Sequence, residues 1–474
     1  VARKKVKDLS DRYDIVIAGG GLGGLTTANV LGRNGYKVLL VEQHFQLGGL
    51  ATYFHRKQHI FDVALHGFPI GMKKTLRKYW SKEMAEHITQ VKSVRFDNPQ
   101  FSLDTVFTEE DFTNKLVENF GLDRELVNAF YAELAGMNFY DDNTMTNREL
   151  FDKYFPGRND VVRLLMEPIT YANGSTLDEP AITYGIVFSN FMSKGVYTFS
   201  GGTDLMLKMM EDLLTANGVD IATGVKVEKV VLDKDKKVVG VKVKSKNQPE
   251  RQLECRSVLS NGNLLSTIHE WVGDEYFTDD FISKVNDVKL NNSSSQVYIG
   301  LKPGESFEFI GDLLFTSTCP TFDTEKVLSK DVTSRTYSVY YPEIRPGSND
   351  YTVVASMNAR YEDWADLSEE EYRREKEKLI AETLEALDKY IPGIADKVDY
   401  LEAATPRTFK HYTLHGGGAS FGTKFEGLEV SMKLPEQIGG LFHAGSVGII
   451  MSGWLGAANY GVIVANNIDK YLCH

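Results

Sequence analysis

The feature that most constrains this chain is a glycine run set between a strand and a helix. Tyr13 to Ala18 read YDIVIA, a short apolar strand, and lead directly into Gly19, Gly20, Gly21, Leu22, Gly23 and Gly24. Gly19, Gly21 and Gly24 satisfy G-x-G-x-x-G, and LTTANVLGRNG then carries Leu25, Ala28 and Leu31 at helical spacing before Gly35 stops the helix. A second strand, YKVLLVE, ends in Glu42. Each part has a physical task. Gly19 permits the tight turn, Gly21 removes a side chain where a pyrophosphate approaches, and Gly24 lets the helix sit close to the sheet. The helix N-terminus offers unpaired N–H groups to phosphate oxygens. Glu42 is placed to accept hydrogen bonds from a ribose diol, and its charge disfavours a 2′-phosphate. The whole predicts a dinucleotide-binding unit rather than a glycine-rich turn without a ligand.

A chain of 474 residues is too long for one ordinary core and implies two or three domains. Cys255, Cys319 and Cys473 are far apart in sequence, so no disulfide framework or cysteine-rich metal site is legible. Together with the lack of an apolar leader, this leads us to expect a reducing, cytoplasmic setting. His44, His55 and His59 follow no zinc-ligand spacing, and no metal is expected. A net charge of -12 argues against a general nucleic-acid binder. The basic start, Arg3, Lys4, Lys5 and Lys7, reads as a frayed terminus or as an attraction to an anionic membrane surface. Ile438 to Ile468 is apolar, yet its glycines, asparagines and His443 suit buried protein better than a lipid-spanning helix.

The texture changes along the chain. Helical runs, FTEEDFTNKLVENFGL and ELVNAFYAELAGM, follow the start, and GTDLMLKMMEDLLTANG is expected to bury Leu205, Met209, Leu213 and Leu214. VDIATGVKVEKVVLDKDKKVVGVKVK reads as strands around a charged turn at Asp233 to Lys237. SSQVYIGL, RTYSVYYPE and YTVVASMNA suggest sheet. SEEEYRREKEKLIAETLEALDKYI reads as a helix with a solvated face and with Leu379, Ile380, Leu384 and Leu387 on its buried side.

After Glu42 come QHFQLGGLATYF and HIFDVALHGF; near the other end stand AATPRTFKHYTLHGGGASFG and GLFHAGSVGIIMSGWLGAANYGVIVAN. With the N-terminal signature and VYTFSGGTDLMLKMMEDLLTANGVDIATGVKVEKVV, these blocks resemble the phytoene desaturase, carotenoid isomerase and retinol saturase family, within the amine-oxidase-like flavoproteins. The resemblance spans nearly the whole chain. It implies an α/β fold: a Rossmann-like FAD-binding domain built from the discontinuous segments 1–75, 196–268 and 401–474. An α+β substrate domain is inserted as 76–195, mainly helical, and 269–400, sheet plus helices.

The resemblance also implies the contacts to FAD. They are Gly19, Gly21, Leu22, Gly23, Gly24, Glu42, Gln43, Gly48, Gly49 and Leu50 at the start, Val227 near the adenine, and Gly445, Ser446, Gly453 and Trp454 near the flavin. Val227 reads equally as an ordinary buried strand residue. Relatives often carry Asp where this chain has Ser446, so that contact becomes a neutral hydroxyl. Gly453 and Trp454 start a helix whose dipole would stabilise negative charge on the reduced ring.

Since a flavin carries hydride chemistry through its own ring, the protein is left to orient its partners. No catalytic triad is legible. His66 and Arg407 are the candidate catalytic side chains, each with a local structural reading beside it, and His411 and His415 share a block with Arg407. Phe151, Tyr154, Phe155, Tyr184, Phe188, Phe191 and Met192 are candidates to line a long apolar substrate site, or simply to pack the core. The expected activity is desaturation, saturation or isomerisation of a carotenoid-like or retinoid-like isoprenoid polyene, on a peripheral membrane surface, with an electron acceptor or donor the sequence does not identify. The alternatives are a flavoprotein acting on another hydrophobic amine, quinone or lipid, and a non-enzymatic escort protein of the same fold.

Overall fold

The structure is a computed structural model that describes residues 3–138, 144–192, 194–246, 248–448 and 450–473. Among these residues the main strands form two seven-stranded sheets.

The first sheet grows from the strand predicted at the start. Arg12–Ala18 pairs in parallel with Val38–Glu42 on one side and with the end of Gln248–Ser260 on the other. Asp220–Thr223 and Leu441–His443 extend it in parallel, and Val225–Leu232 and Val238–Ser245 add an antiparallel wing. A parallel sheet covered on both faces needs continuous apolar strands, and Ile15, Val16, Ile17, Leu39 and Leu40 are all fully buried. The helix Leu22–Arg33 follows the glycine turn, and the last helix, Gly453–Leu472, packs across it. Glycine makes that crossing possible: a Cβ on Gly461 would lie 2.5 Å from the Gly23 carbonyl oxygen, and Thr27 Oγ1 donates to the Gly461 carbonyl at 2.9 Å. Three distant segments thus meet in one α/β domain.

The second sheet runs Val398–Ala404, Ser293–Leu301, Thr352–Ala359, Ser334–Tyr340, Leu313–Ser317, Val94–Asn98 and Phe101–Thr105. It is antiparallel apart from the Leu313–Ser317 pairing with Val94–Asn98. The segment expected to be mainly helical therefore also supplies the last two strands at one side of this sheet. Val297, Ile299, Val353 and Ala355 face the helix Glu369–Asp388, which begins with a capping box between Ser368 and Glu371. Leu379 and Leu387 are buried there, as their spacing predicts, while Ile380 and Leu384 are half-buried. The other face of the sheet looks toward the first domain.

Two expectations need correction, and one open alternative is decided. In the helix Gly202–Ala216 the fully buried stripe is Met206, Leu207, Met210 and Leu214; Leu205, Met209 and Leu213 are half-buried beside it. The stripe is rotated by about one residue because Gly202 and Thr203 also face the core. The N-terminus is tied down from Arg3 onward rather than frayed. Val6 is buried in a short 3-10 turn, Arg3 pairs with Glu211 at 2.6 Å, and Lys4 pairs with Asp220 at 2.7 Å. Those two cations are thus neutralised locally, while Lys5 and Lys7 stay exposed. Finally, Phe151, Phe155, Tyr184, Phe188 and Met192 pack among the helices Arg124–Gly136, Asn147–Tyr154, Asn159–Asn173 and Ala181–Met192, and Tyr154 lies on that core's flank. They are core residues, as rings in mutual contact show: Tyr184 stacks on Phe188 with centroids 5.1 Å apart.

Candidate functional site

A single cavity of about 1210 Å³ begins at the glycine turn and continues between the two domains. It exceeds the ~300–1,000 Å³ typical of a pocket for one small ligand.

At one end its walls are largely backbone. Gly19 takes φ +113°, Gly48 φ +111° and Gly49 φ +60°, all in the region that favours glycine. The Gly48 N–H donates to the Gly20 carbonyl at 2.7 Å, which lays the second glycine segment along the first. A Cβ on Gly49 would sit 3.2 Å from Gly21 Cα. Gly19, Gly21, Leu22, Gly23, Gln43, Gly48, Gly49 and Leu50 all line this trough. Gly24 does not. A Cβ there would collide with the Gly19 carbonyl, so Gly24 acts in packing the helix onto the turn.

Glu42 closes the second strand and lines the trough. Its Oε2 accepts from the Gly20 N–H at 2.7 Å and its Oε1 from the His44 N–H at 2.8 Å. Burial raises its pKa, opposed by those N–H bonds. The carboxylate therefore fixes the turn while keeping lone pairs on the cavity side.

Val227, on Val225–Leu232, lines the cavity near Asn263 and Trp271. Ser446 also lines it, whereas Gly445 lies behind, pressed against the Gly262 carbonyl and His443. At the far side of the trough the last helix begins. Gly453 (φ +63°) and Trp454 line the cavity, no side chain caps that N-terminus, and the Trp454 indole N–H donates to the Ala64 carbonyl at 3.0 Å. A helix end with free N–H groups faces the same space as the glycine turn.

The sequence reading missed Asn261, which follows the return strand. Its main-chain N–H donates to the Ala18 carbonyl at 2.8 Å and its Nδ2 to the Ala444 carbonyl at 2.7 Å, so it ties three segments together. Its Oδ1 is buried without a partner, beside Gly21. The SNGN sequence at the end of an apolar strand was the available signal.

Beyond this trough the cavity enters an apolar arm formed by Ile169, Ile186, Val187, Phe191, Leu313 and Phe315, with Tyr171 in its wall. Of the seven aromatic and methionine residues read as core packing or as lining for a substrate site, only Phe191 lines the cavity. Tyr171 stacks on Phe315 with centroids 5.4 Å apart, and its hydroxyl donates to the Thr316 carbonyl at 2.8 Å. Behind it the buried pair Arg163 and Glu167 closes at 3.2 Å, and burial raises the Glu167 pKa to about 7 against the pull of Arg163.

His66 lies where trough and arm meet. Its Nδ1 is 2.6 Å from Ser338 Oγ, and burial lowers its pKa to about 4, so the ring is neutral near neutral pH. Arg407 is elsewhere. Its guanidinium pairs with Glu369 at 2.7 Å and lies over the Tyr372 ring, 4.3 Å from the centroid, outside the cavity wall. The structural reading of Arg407 replaces the catalytic one, because its helix turns it toward the start of Glu369–Asp388. His415 is buried with its Nδ1 2.9 Å from the Ala419 carbonyl oxygen, and His411 is exposed beside Tyr412.

Among the described residues no group of three or more His, Cys, Asp or Glu is placed to hold a metal ion, and no helix is long and apolar enough to cross a membrane.

Residues 17–82 match the family model of an NAD(P)-binding Rossmann-like domain. The chain is 23% identical to all-trans-retinol 13,14-reductase of Danio rerio, over 86% of this chain and 77% of that protein. It is equally 23% identical to a chloroplastic prolycopene isomerase of an Oncidium hybrid cultivar, over 86% and 75% of the two chains. Cyclohexylamine oxidase from Brevibacterium oxydans shares the fold with a TM-score of 0.65, at 15% identity, over 98% of this chain and all of that one. The chain thus has a fold related to that of amine oxidases, and its sequence is similar over most of its length to a retinol reductase and to a prolycopene isomerase.

Proposed function

We propose that the protein is an FAD-dependent oxidoreductase acting on an elongated hydrophobic molecule, and that among such molecules an isoprenoid polyene of carotenoid or retinoid type suits the cavity best. The observation that carries this reading is the continuity of one cavity from a backbone-lined glycine trough into an apolar arm.

The trough fits the cofactor. Gly19, Gly21, Gly48 and Gly49 would leave room for a pyrophosphate, Glu42 would accept from a ribose, Val227 would lie by an adenine, and Ser446, Gly453 and Trp454 would hold the flavin end. When bound, FAD supplies two-electron hydride chemistry to or from carbon. The protein's own share is placement. The free N–H groups of the last helix favour negative charge where its N-terminus meets the cavity. The arm excludes water from an apolar substrate, and its side chains hold that substrate against the trough. His66, neutral and hydrogen-bonded to Ser338, sits at the junction without a formal charge.

Hydrophobic substrates of other kinds form the second reading. The fold likeness to an amine oxidase keeps an amine in view, but none of the arm residues that line the cavity is an acid to pair with a buried ammonium. A quinone or a lipid meets no such obstacle. An escort role is less well supported, because the apolar space is continuous with the glycine trough rather than a separate surface groove.

The test is to load the purified chain with FAD and offer carotenoids, retinoids, quinones and amines under oxidising and reducing conditions, in the dark, identifying products by mass. Turnover of polyenes alone supports the finer reading; turnover of quinones or amines alone replaces it; no flavin redox response to any class overturns the oxidoreductase reading. Flotation with anionic vesicles at low and high salt tests the proposed peripheral membrane contact, and protein that stays at the bottom in both rejects it.

A further inference from the structure

The junction between trough and arm contains a small polar cluster that the chemistry above does not use. Thr352–Ala359 is buried along its whole length except at Ser356, which opens onto the cavity. Its cross-strand partners are Gln296 and Thr336, so one rung of three polar residues crosses the floor of the cavity. Gln296 Nε2 donates to the Val63 carbonyl at 3.0 Å and to Ser356 Oγ at 3.3 Å, and its Oε1 accepts from the Tyr298 hydroxyl. The amide is thereby locked. From the opposite side His66, held through Nδ1 by Ser338, brings Nε2 to 3.5 Å from Ser356 Oγ, at the outer limit of a hydrogen bond. Thr336 Oγ1 is buried with no hydrogen-bond partner among the described residues.

Such a cluster has a cost beside a hydrocarbon. A polar group covered by apolar surface without a hydrogen bond is destabilising, and here two groups are poorly paired and one is unpaired. The same groups become favourable when an oxygen atom is placed between them. A neutral imidazole held at Nδ1 by a serine hydroxyl can donate from Nε2, and Ser356 can donate or accept. The two converge on one point at the mouth of an otherwise apolar arm.

We propose that His66 and Ser356 form a recognition point for an oxygen function, a hydroxyl or carbonyl, carried by an otherwise apolar substrate, with Ser338 and Gln296 as the residues that position them. This deepens the substrate class and rests on the reading of the arm as substrate space. A bare hydrocarbon fills the arm but leaves the junction unsatisfied.

The test uses the full chain loaded with FAD and two matched ligand pairs. One is a polyene alcohol and the polyene hydrocarbon of the same skeleton; the other is a saturated long-chain alcohol and its alkane. Equilibrium binding is measured from a common detergent solution, with flavin content and thermal midpoint recorded for each variant. The expected result is a preference of about tenfold for the oxygenated member, the size of one to two hydrogen bonds. Ser356→Ala lowers that preference to about threefold, and His66→Phe with Ser356→Ala brings it near one, read as the ratio within each ligand pair so that any change common to both members cancels. His66→Asn, which keeps a donor, retains part of it, and serves if the double variant fails to fold.

Discrimination confined to the saturated pair keeps the oxygen site and overturns the polyene reading. Absence of discrimination in both pairs, through equal binding or through none, overturns the oxygen site. Variants that shift the flavin spectrum or flavin content while leaving the preference intact also overturn it, by assigning the cluster to the cofactor.

Discussion

The two ends of the cavity are built by opposite means. At the cofactor end the working surface is backbone: glycines with positive φ, carbonyls and helix N–H groups, with Glu42 and Asn261 bracing them from behind. At the substrate end the backbone is consumed in sheet and helix hydrogen bonds, and the surface is side chain. The first construction forbids almost every substitution at a few neighbouring positions. The second tolerates many substitutions, because each wall residue comes from a different element and only its volume and polarity matter.

The largest expected effect separates core from wall inside the substrate half. Phe188 is fully buried and stacked on Tyr184, whereas Phe191, three residues on, lines the cavity. Phe188→Ala should cost about 3–5 kcal/mol of folding stability. Phe191→Ala should cost far less and change the affinity for long apolar ligands instead. Chemical denaturation together with ligand titration measures both. Equal loss of stability at the two positions would mean that Phe191 is core as well, and that the arm is shorter than its lining implies.

Next come two histidines, one in each half. His443 is buried in the cofactor half between Ser431 and the Gly262 carbonyl, with Tyr460 on the same serine and His415 nearby. His66 faces Ser338 and Ser356, with the Asp62–Arg345 pair near it. Burial lowers the pKa of each to about 4, from about 6.5 for a free imidazole. Between those limits the unfolded chain binds a proton that the folded chain does not. Stability is therefore fully present above pH 6.5 and falls as pH drops toward 4, by up to about 3 kcal/mol for His443 and by less for His66, which borders the cavity. Denaturation curves across that range should flatten in His443→Gln. A bound oxygenated ligand should protect only the His66 contribution; protection of both would remove the distinction between the halves.

How much of this was legible in the sequence follows the same division. The glycine trough, Glu42 and the first strands were readable because a tight turn against a phosphate dictates residue type at fixed spacing. Asn261 escaped because its role depends on Ala18 and Ala444, far away in the chain. The arm was barely readable. A side chain in the helix Ala181–Met192 faces the core or the cavity according to a rotation that sequence does not fix, which is why three of its four candidates proved to be packing; Phe151, Tyr154 and Phe155, at the helix Asn147–Tyr154, pack in the same way. The rung of Gln296, Ser356 and Thr336 left no distinct trace, since its three strands carry other polar residues beside their Val, Tyr and Ala, and pairing them in register is a tertiary fact.

A third prediction tests the backbone construction directly. A Cβ on Gly21 would lie 2.7 Å from Asn261 Oδ1 and occupy the approach to the trough. Because the obstacle is a side-chain atom, Gly21→Ala should leave the apoprotein nearly as stable, yet weaken FAD binding by ~1–3 kcal/mol. Flavin retention on gel filtration and the apoprotein thermal midpoint separate the two effects. If both fall together, the glycine serves the fold rather than the ligand, and the trough loses its distinction from the arm.

The smallest effect is expected at Arg407, in the block that resembles a flavin-side segment. Its partners are the exposed Glu369 carboxylate and the Tyr372 ring, and it does not border the cavity. An exposed ion pair of this kind contributes ~0–1 kcal/mol, and stacking on Tyr372 adds a comparable amount. Arg407→Ala should therefore lower stability by ~1 kcal/mol or less, with a loss that shrinks in high salt, and leave flavin content and flavin reduction by substrate unchanged. Arg407→Lys should recover part of the pair but little of the stacking, since an ammonium lacks the flat face of guanidinium. A fall in the rate of flavin reduction in Arg407→Ala at unchanged stability would return Arg407 to the chemistry, and would require the block around it to move toward the trough when substrate binds.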